Sequence, residues 1–248
     1  MSKSNSLLSE QHSPGNDILI KEAIILAGGL GTRLRKAVPG LPKCMAPIGG
    51  KPFISYIIEY YKKQGIEKFI FALGYMHERI EDYLNDSYTT LDMVYSIEEE
   101  PLGTGGAIKL ACGETTSKQV VVVNGDTLFK INLQALSFLH HQKESECTLC
   151  LKPMHTFDRY GVIEMSDNHS VKNFQEKKYF TSGNINGGVY ALQVSAFLAN
   201  GLPERFSFEK EYLETYYTNG QMYGLVQDEY FVDIGIPEDL EKAQSELA

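Results

Sequence analysis

Residues 23–35 read AIILAGGLGTRLR, a short apolar run followed by a loop with three glycines, a threonine and two arginines. A continuous apolar run is typical of a strand in a parallel sheet that is covered on both faces. The loop lacks the Gly-Lys-Ser/Thr of a P-loop, and Leu34 stands where the dinucleotide fingerprint needs its last glycine. The stretch therefore predicts either an anion-binding loop of another type or a simple turn in which the glycines relieve backbone strain.

Strand and helix patterns alternate outward from this loop. After the strand at 23–26, the sequence predicts strands at 68–74, 93–97 and 120–123, with helices at 52–65, 76–84 and 105–111. This alternation is typical of the α/β class, with a mostly parallel sheet flanked by helices. Ligands bind at the carboxyl ends of the strands in such sheets. Because the loops 27–33, 102–106 and 124–126 all lie at those ends, together they favour a binding site.

The second half of the chain has a different pattern. It predicts strands at 146–152, 162–165 and 187–192, and a helix around 208–219. Residues 1–20 are rich in Ser, Asn, Gln, Pro and Gly, so we expect a flexible leader there. We expect residues 21–248 to form a single domain, with a nucleotide-binding half at 21–130 and a second half at 131–248 that completes the sheet and binds a second substrate.

Composition narrows the function. The chain has 248 residues and a formal net charge of −9, which argues against a nucleic-acid-binding protein. A signal-peptide pattern is absent from residues 1–22, and no apolar run approaches the length of a membrane span. These features, together with four cysteines, predict a reduced, cytoplasmic protein that does not bind membranes.

Two short motifs have a structural and a functional interpretation. Cys147-Thr-Leu-Cys150 could be redox-active or half of a zinc site, but it lies in an apolar strand pattern and has no second CxxC, so we interpret it as structural. We expect His140 and His141, at the end of a predicted helix, to be solvated surface residues.

Six ordered motifs resemble those of the sugar-1-phosphate nucleotidyltransferases. They are GGLGTRL at 28–34 with the following Pro42-Lys43, EEEPLGTGGA at 98–107, NGD at 124–126, FQEK at 174–177, INGGVY at 185–190 and DIGIPED at 233–239. The resemblance covers about residues 22–240. It implies a Rossmann-like α/β fold with a mixed, mostly parallel sheet of the nucleotide-diphospho-sugar transferase type. It also implies transfer of a nucleotide from a nucleoside triphosphate to a sugar 1-phosphate, with release of pyrophosphate.

The resemblance assigns roles around the triphosphate, which carries about four negative charges. Backbone N–H groups of the first loop would hold it, and Arg33 would pair with the β- and γ-phosphates. Lys43 would lie between the α-phosphate and the sugar phosphate. The resemblance implies a nucleotide-binding set of Leu26, Ala27, Gly28, Gly29, Gly31, Thr32, Glu98, Gly103 and Thr104.

Two aspartates are implied as magnesium ligands. Asp126 and Asp233 could each be an ordinary turn or cap residue. Together they supply what Mg²⁺ prefers, namely one or two carboxylates in addition to substrate phosphates. The resemblance therefore implies Mg²⁺ as the cofactor and Arg33, Lys43 and Asp126 as the catalytic residues, which act by neutralising and aligning two anions.

Specificity depends on the base and the sugar. Glu98 would accept hydrogen bonds from the N–H groups of guanine, although the N3–H of uracil would also suit it. The resemblance implies sugar-phosphate binding by Gly125, Glu176, Lys177, Asn186 and Gly187. The stretches at 96–109, 157–161, 205–214 and 230–240 resemble the branch that uses GTP and D-glycero-α-D-manno-heptose 1-phosphate.

Alternatives remain open at the level of the sequence. The substrate pair could differ, as in a mannose-1-phosphate guanylyltransferase or a uridylyltransferase for N-acetylmuramate 1-phosphate. A catalytically silent sensor of nucleotide sugars would be expected to lack Arg33, Lys43, Asp126 or Asp233, but all four are present. A homo-oligomer is compatible with the sequence, which does not specify one.

Overall fold

The computed structural model describes residues 18–29 and 38–247. The strands are β1 Glu22–Leu26, β2 Pro47–Ile48, β3 Lys51–Pro52, β4 Lys68–Leu73, β5 Asp92–Ile97, β6 Gln119–Asn124, β7 Thr127–Phe129, β8 Cys147–Phe157, β9 Val162–Met165, β10 Val171–Gln175, β11 Phe180–Gln193, β12 Met222–Val226 and β13 Phe231–Asp233.

Helices connect most of the long strands. They are α1 Phe53–Lys63, α2 His77–Ser87, α3 Gly103–Ala111, α4 Leu133–Gln142, α5 Val194–Ala199, α6 Glu214–Tyr216 and α7 Pro237–Leu247, with a π-helical segment at Phe208–Leu213 and 3-10 turns at Lys43–Met45, Cys112–Glu114 and Tyr217–Asn219. Within the described residues, no helix is both long and apolar enough to cross a membrane.

Seven strands form the central sheet in the order β12-β8-β11-β6-β1-β4-β5. Of these, β11 is antiparallel to both of its neighbours, and every other pairing in the sheet is parallel. The predicted α/β fold with a mixed, mostly parallel sheet is confirmed. Strands from both halves of the chain take part in this one sheet.

The hydrophobic core lies on both faces of the sheet, because successive side chains of a strand point to opposite faces. On β1, Ala23 and Ile25 contact the core that includes α1. Ile24 belongs to the opposite core, which includes Phe208. All three side chains are fully buried, which explains why this strand reads as a continuous apolar run.

The thiols of the CxxC motif lie on opposite faces of β8. Cys147 belongs to one core cluster and Cys150 to the other, as expected for two strand residues separated by three positions. Both thiols are free and completely buried. They cannot form a disulfide with each other without rearrangement of the strand, so the structural interpretation is confirmed.

His140 was predicted to be a surface residue, and this prediction is wrong. Its side chain is fully buried, and Nδ1 lies 2.9 Å from the hydroxyl oxygen of Thr148 on β8. Burial lowers the pKa of His140 to about 4, so the imidazole is neutral at physiological pH. His141, the next residue, is exposed as predicted.

We predict that Gly187→Ala destabilises the fold, because a Cβ at this position would lie 2.4 Å from the ring of Phe129 and 2.9 Å from the carbonyl oxygen of Cys150. Both neighbours are fully buried, so the expected loss is about 1–3 kcal/mol of unfolding free energy. Urea denaturation measures it. Gly113→Ala is the matched control, since no atom lies within 4 Å of its added Cβ; equal stability of the two variants would contradict the packing described.

We predict that the native protein resists thiol reagents at pH 8. All four cysteines are buried, and burial raises the pKa of Cys44 and of Cys112 to about 12. The reactive thiolate is therefore scarce as well as inaccessible. Labelling with a chromogenic disulfide reagent should release four equivalents in denaturant and far less than one equivalent in minutes without it. Rapid labelling of the folded protein would show that a cysteine is exposed.

Candidate active site

A cavity of about 790 Å³ opens at the carboxyl ends of β1, β4, β5 and β6. This is the edge at which α/β sheets bind ligands, and the volume is in the usual range for a small-molecule site. The described lining includes these residues from the predicted set: Leu26, Ala27, Gly28, Gly29, Lys43, Glu98, Gly103, Thr104, Gly125 and Asp126. Gly31, Thr32 and Arg33 lie outside the described residues.

Lys43 lies close to two carboxylates. Asp126 lines the same cavity, whereas Asp233 lines a neighbouring cavity. The Lys43 ammonium group donates a hydrogen bond to Asp126 Oδ2 and lies 3.7 Å from Asp233 Oδ1. The Lys43 side chain is 16% exposed, so the ion pairs are partly shielded from water. The structure thus brings together three of the residues that the sequence predicted, from positions 43, 126 and 233.

The two aspartates are held close together by a small antiparallel ladder. β7, which begins after Asp126, pairs with β13 so that Thr127 stands opposite Asp233. The N–H of Ile234 also donates to the Asp126 carbonyl at 3.0 Å. Burial and the negative charge of Asp126 raise the pKa of Asp233. The protein therefore holds two like charges near each other, with one ammonium group to compensate them.

Gly125 connects this end of the site to the first loop. Its N–H donates to the Leu26 carbonyl at 2.9 Å, and a Cβ at position 125 would lie only 2.5 Å from the same oxygen. Glycine is therefore required here by an approach of backbone to backbone. This contact fixes Asp126 relative to the end of β1, beside which the triphosphate was expected to bind.

Glu98 lies at the other end of the cavity. Its Oε2 accepts a hydrogen bond from the N–H of Leu102 at 3.0 Å. Its Oε1 lies against two glycines, where a Cβ would be 2.6 Å away at Gly74 and 3.0 Å away at Gly28. Burial raises the pKa of this carboxyl group. Because a carboxylate has four acceptor positions, Glu98 still has acceptor capacity for ligand N–H groups.

The predicted loop 102–106 is largely the first turn of α3, and its glycines contact protein. A Cβ at Gly103 would lie 2.6 Å from the Phe206 carbonyl oxygen. The Thr104 hydroxyl donates to Glu209 at 2.8 Å and accepts from the N–H of Phe208 at 2.9 Å. Gly103 and Thr104 both line the cavity. They also attach the segment at 206–209 to α3.

The predicted sugar-phosphate residues other than Gly125 are not part of the described cavity lining. Glu176 and Lys177 are exposed in the connection between β10 and β11. The Asn186 amide donates to the Tyr190 hydroxyl at 2.8 Å and accepts from the N–H of Gly188 at 3.0 Å. Gly187 is buried against Phe129. Their roles in sugar binding remain predictions.

Tyr160 and Arg159 have no role predicted from the sequence, although they lie in the stretch at 157–161 that resembles one branch of the family. The Tyr160 hydroxyl donates to Asp233 Oδ2 at 3.2 Å, and Asp233 Oδ1 accepts from the N–H of Gly235 at 2.8 Å. Arg159 Nη1 lies 2.6 Å from Asp239 Oδ2 on α7. Tyr160 therefore helps to orient one of the two aspartates, and no local sequence signal reveals a contact between residues so distant in the chain.

A sequence profile of the nucleotidyl transferase family matches residues 22–248, and the chain belongs to this family. It is 50% identical over 226 residues to the D-glycero-alpha-D-manno-heptose 1-phosphate guanylyltransferase of Aneurinibacillus thermoaerophilus, covering 91% of this chain and 98% of the relative. Identity to the protein of the same name from Campylobacter jejuni is 45% over 218 residues, covering 88% and 96% of the two chains.

A solved structure supports the same assignment of fold. HddC from Yersinia pseudotuberculosis complexed with GMP-PN superposes with a TM-score of 0.82 at 34% identity, covering 92% of this chain and all of that one. The chain is thus a nucleotidyltransferase, and the cavity at the carboxyl ends of the parallel strands is its candidate active site.

We predict that Asp233→Asn raises the unfolding midpoint of the protein without ligand. Asparagine has nearly the same shape and can still accept from the N–H of Gly235, but it removes one of two like charges. Thermal denaturation at neutral pH in a chelator measures the shift. Asp228→Asn is the control: it removes an exposed ion pair with Lys152, so it should change the midpoint little. A lower midpoint for Asp233→Asn would contradict the charge repulsion inferred here.

Proposed function

We propose that the protein transfers GMP from GTP to D-glycero-α-D-manno-heptose 1-phosphate, which yields GDP-heptose and pyrophosphate. The observation that carries the proposal is the placement of Lys43 between Asp126 and Asp233 at one end of a cavity whose other end holds Glu98. The names of the two relatives at 50% and 45% identity support the choice of substrates.

The reaction joins two anions, so charge compensation and alignment are the main tasks of the residues. An oxygen of the sugar phosphate attacks the α-phosphorus of GTP and forms a new P–O bond. The bond from the α-phosphorus to the bridging oxygen breaks, and pyrophosphate leaves with that electron pair. Lys43 is positioned to neutralise phosphate oxygens at the reacting centre, since its ammonium group lies at the carboxylate end of the cavity.

Asp126 and Asp233 fit a divalent cation. Burial and the nearby charge of Asp126 raise the pKa of Asp233, and a divalent cation would relieve this repulsion. Residues 18–29 and 38–247 contain no group of three or more His, Cys, Asp or Glu side chains arranged to hold a metal ion without a substrate. A pair of carboxylates together with substrate phosphates is what Mg²⁺ prefers. When bound, Mg²⁺ supplies Lewis-acid catalysis and a template for the phosphates.

Glu98 supports a guanine nucleotide. Guanine presents N1–H and N2–H on one edge, whereas adenine has an acceptor at N1, which a carboxylate would repel. The N3–H of uracil also fits Glu98, so a uridylyltransferase acting on N-acetylmuramate 1-phosphate is the alternative, as is a mannose-1-phosphate guanylyltransferase.

We also propose that the protein acts in the cytoplasm, where GTP is available. Its product would then serve the assembly of a surface glycan, such as lipopolysaccharide, capsule or S-layer glycan.

Pyrophosphate release tests the substrate pair. The assay covers ATP, CTP, GTP and UTP, each with heptose, mannose, glucose and N-acetylmuramic 1-phosphates, in the presence of Mg²⁺. We expect turnover with GTP and the heptose phosphate to exceed every other combination. Preference for another pair would preserve the reaction type but reject the proposed substrates, and no release with any pair would reject the reaction.

We predict that Asp126→Asn lowers kcat for pyrophosphate release by about 100-fold or more, the scale expected when a charged group at the reacting centre is removed. Asp167→Asn removes the same charge from an exposed turn between β9 and β10 and should leave kcat unchanged. Circular dichroism confirms that both variants fold. Full activity of Asp126→Asn in Mg²⁺ would show that this carboxylate has neither a catalytic nor a metal-binding role.

A further inference from the structure

Arg205 lies beside the Glu98 end of the active-site cavity, and its side chain has no polar partner among the described residues. A second cavity of about 510 Å³ shares Gly103 and Thr104 with the active-site cavity and is also lined by Arg205. The Arg205 side chain is exposed and makes no hydrogen bond or ion pair in the described part of the chain. The guanidinium group is therefore free to bind a ligand in a cavity that adjoins the active-site cavity at Gly103 and Thr104.

Leu102 connects Arg205 to Glu98. The N–H of Leu102 donates to Glu98 Oε2 at 3.0 Å, while its carbonyl accepts from the N–H of Phe206 at 3.0 Å. The Phe206 carbonyl in turn accepts from the N–H of Gly105 at 3.0 Å. The Glu98 carboxylate and the backbone that follows Arg205 are thus held on the two sides of one residue at the start of α3.

The backbone at Arg205 is well fixed. Phe206 is 3% exposed and Phe208 is fully buried, and both rings pack against Phe197. A Cβ at Gly105 would lie 2.1 Å from the Phe206 ring, so glycine at 105 is what permits this close packing. Arg205 therefore projects from an anchored segment, and only its side chain needs to be ordered by a ligand.

The two acidic residues that line this second cavity, Glu209 and Glu211, already accept hydrogen bonds from other groups. Glu209 Oε2 accepts from the hydroxyls of Thr104 at 2.8 Å and Ser207 at 3.1 Å. Glu211 Oε2 accepts from the N–H of Ser207 at 2.5 Å. Both carboxylates stabilise the turn that carries Arg205, and neither pairs with it.

We propose that Arg205 donates its two parallel N–H groups to O6 and N7 of guanine, while Glu98 accepts from N1–H and N2–H. The inference rests on the proposed use of GTP. A guanidinium fork matches the O6 and N7 acceptors of guanine, whereas adenine presents an amino donor in place of O6. Glu98 alone tolerates uracil, and Arg205 supplies the second half of a recognition pair that selects guanine.

The lysine variant separates geometry from charge. Lysine keeps the positive charge but lacks the planar fork, so it would still attract a triphosphate but would not bind O6 and N7 together. Arg205→Ala removes both properties. Lys210→Ala is the matched control, because it removes one positive charge from an exposed position in the adjoining π-helical segment.

The test compares GTP with 7-deaza-GTP, in which a C–H replaces N7. Values of kcat/KM for pyrophosphate release are measured for the wild type, Arg205→Lys, Arg205→Ala and Lys210→Ala. We expect the wild type and Lys210→Ala to prefer GTP by about fivefold or more, and both Arg205 variants to lose this preference. Arg205→Ala should also narrow the preference for GTP over ATP.

Three results would overturn the assignment. A preference for GTP over 7-deaza-GTP that survives in Arg205→Ala would show that another group contacts N7. A rise in KM confined to the sugar phosphate would place Arg205 on the other substrate. If the wild type does not use GTP, the proposed function and this inference both fail. If the wild type uses GTP but Arg205→Ala leaves the ratio of kcat/KM for GTP to that for 7-deaza-GTP unchanged, only this inference fails.

Discussion

The contact of the Lys43 ammonium with two carboxylates sets the geometry of one end of the cavity. Asp126 follows β6, Asp233 ends β13, and Lys43 begins a 3-10 turn, so the contact joins three separate segments. Two buried or half-buried carboxylates repel each other, and their proximity is expensive without a cation between them. Lys43 lowers that cost, and the β7–β13 ladder prevents the two carboxylates from moving apart.

The opposite end of the cavity is built by a different principle. Glu98 is held by one backbone N–H and lies against glycines, so its position depends on the absence of side chains at residues 28 and 74. The residues at 205–208 are joined to the same region through Leu102 and Thr104. Charge pairing therefore orders the end at Lys43, where we propose that the phosphates bind, while close backbone packing orders the end at Glu98, where we propose that the base binds. Substitutions at the two ends should accordingly affect turnover and specificity in different ways.

The sequence was sufficient for the elements whose signals are local. The apolar run at β1, the alternation of strands and helices, and the ordered motifs placed Lys43, Glu98 and Asp126 around one cavity.

Contacts between distant residues were not predictable, because local patterns do not reveal tertiary neighbours. The Tyr160–Asp233 hydrogen bond spans 73 positions and the Thr104–Glu209 bond spans 105. A glycine also gives the same signal whether ligand or protein approaches it, so the sequence does not reveal that Phe206 packs at Gly103 and Phe129 at Gly187. The position of His140 at the end of a helix predicts a surface residue, because the sequence does not indicate its contact with Thr148 on β8.

A crystal structure with Mn²⁺ and a non-hydrolysable GTP analogue is the most direct test of the site. Anomalous scattering at the manganese edge locates the ion independently of the surrounding density. We expect an ion within bonding distance of the Asp126 and Asp233 carboxylates and of analogue phosphates, with the Watson–Crick edge of guanine at Glu98. An ion bound to phosphates but far from both carboxylates, or a base outside the Glu98 end of the cavity, would contradict the assignment of the two ends.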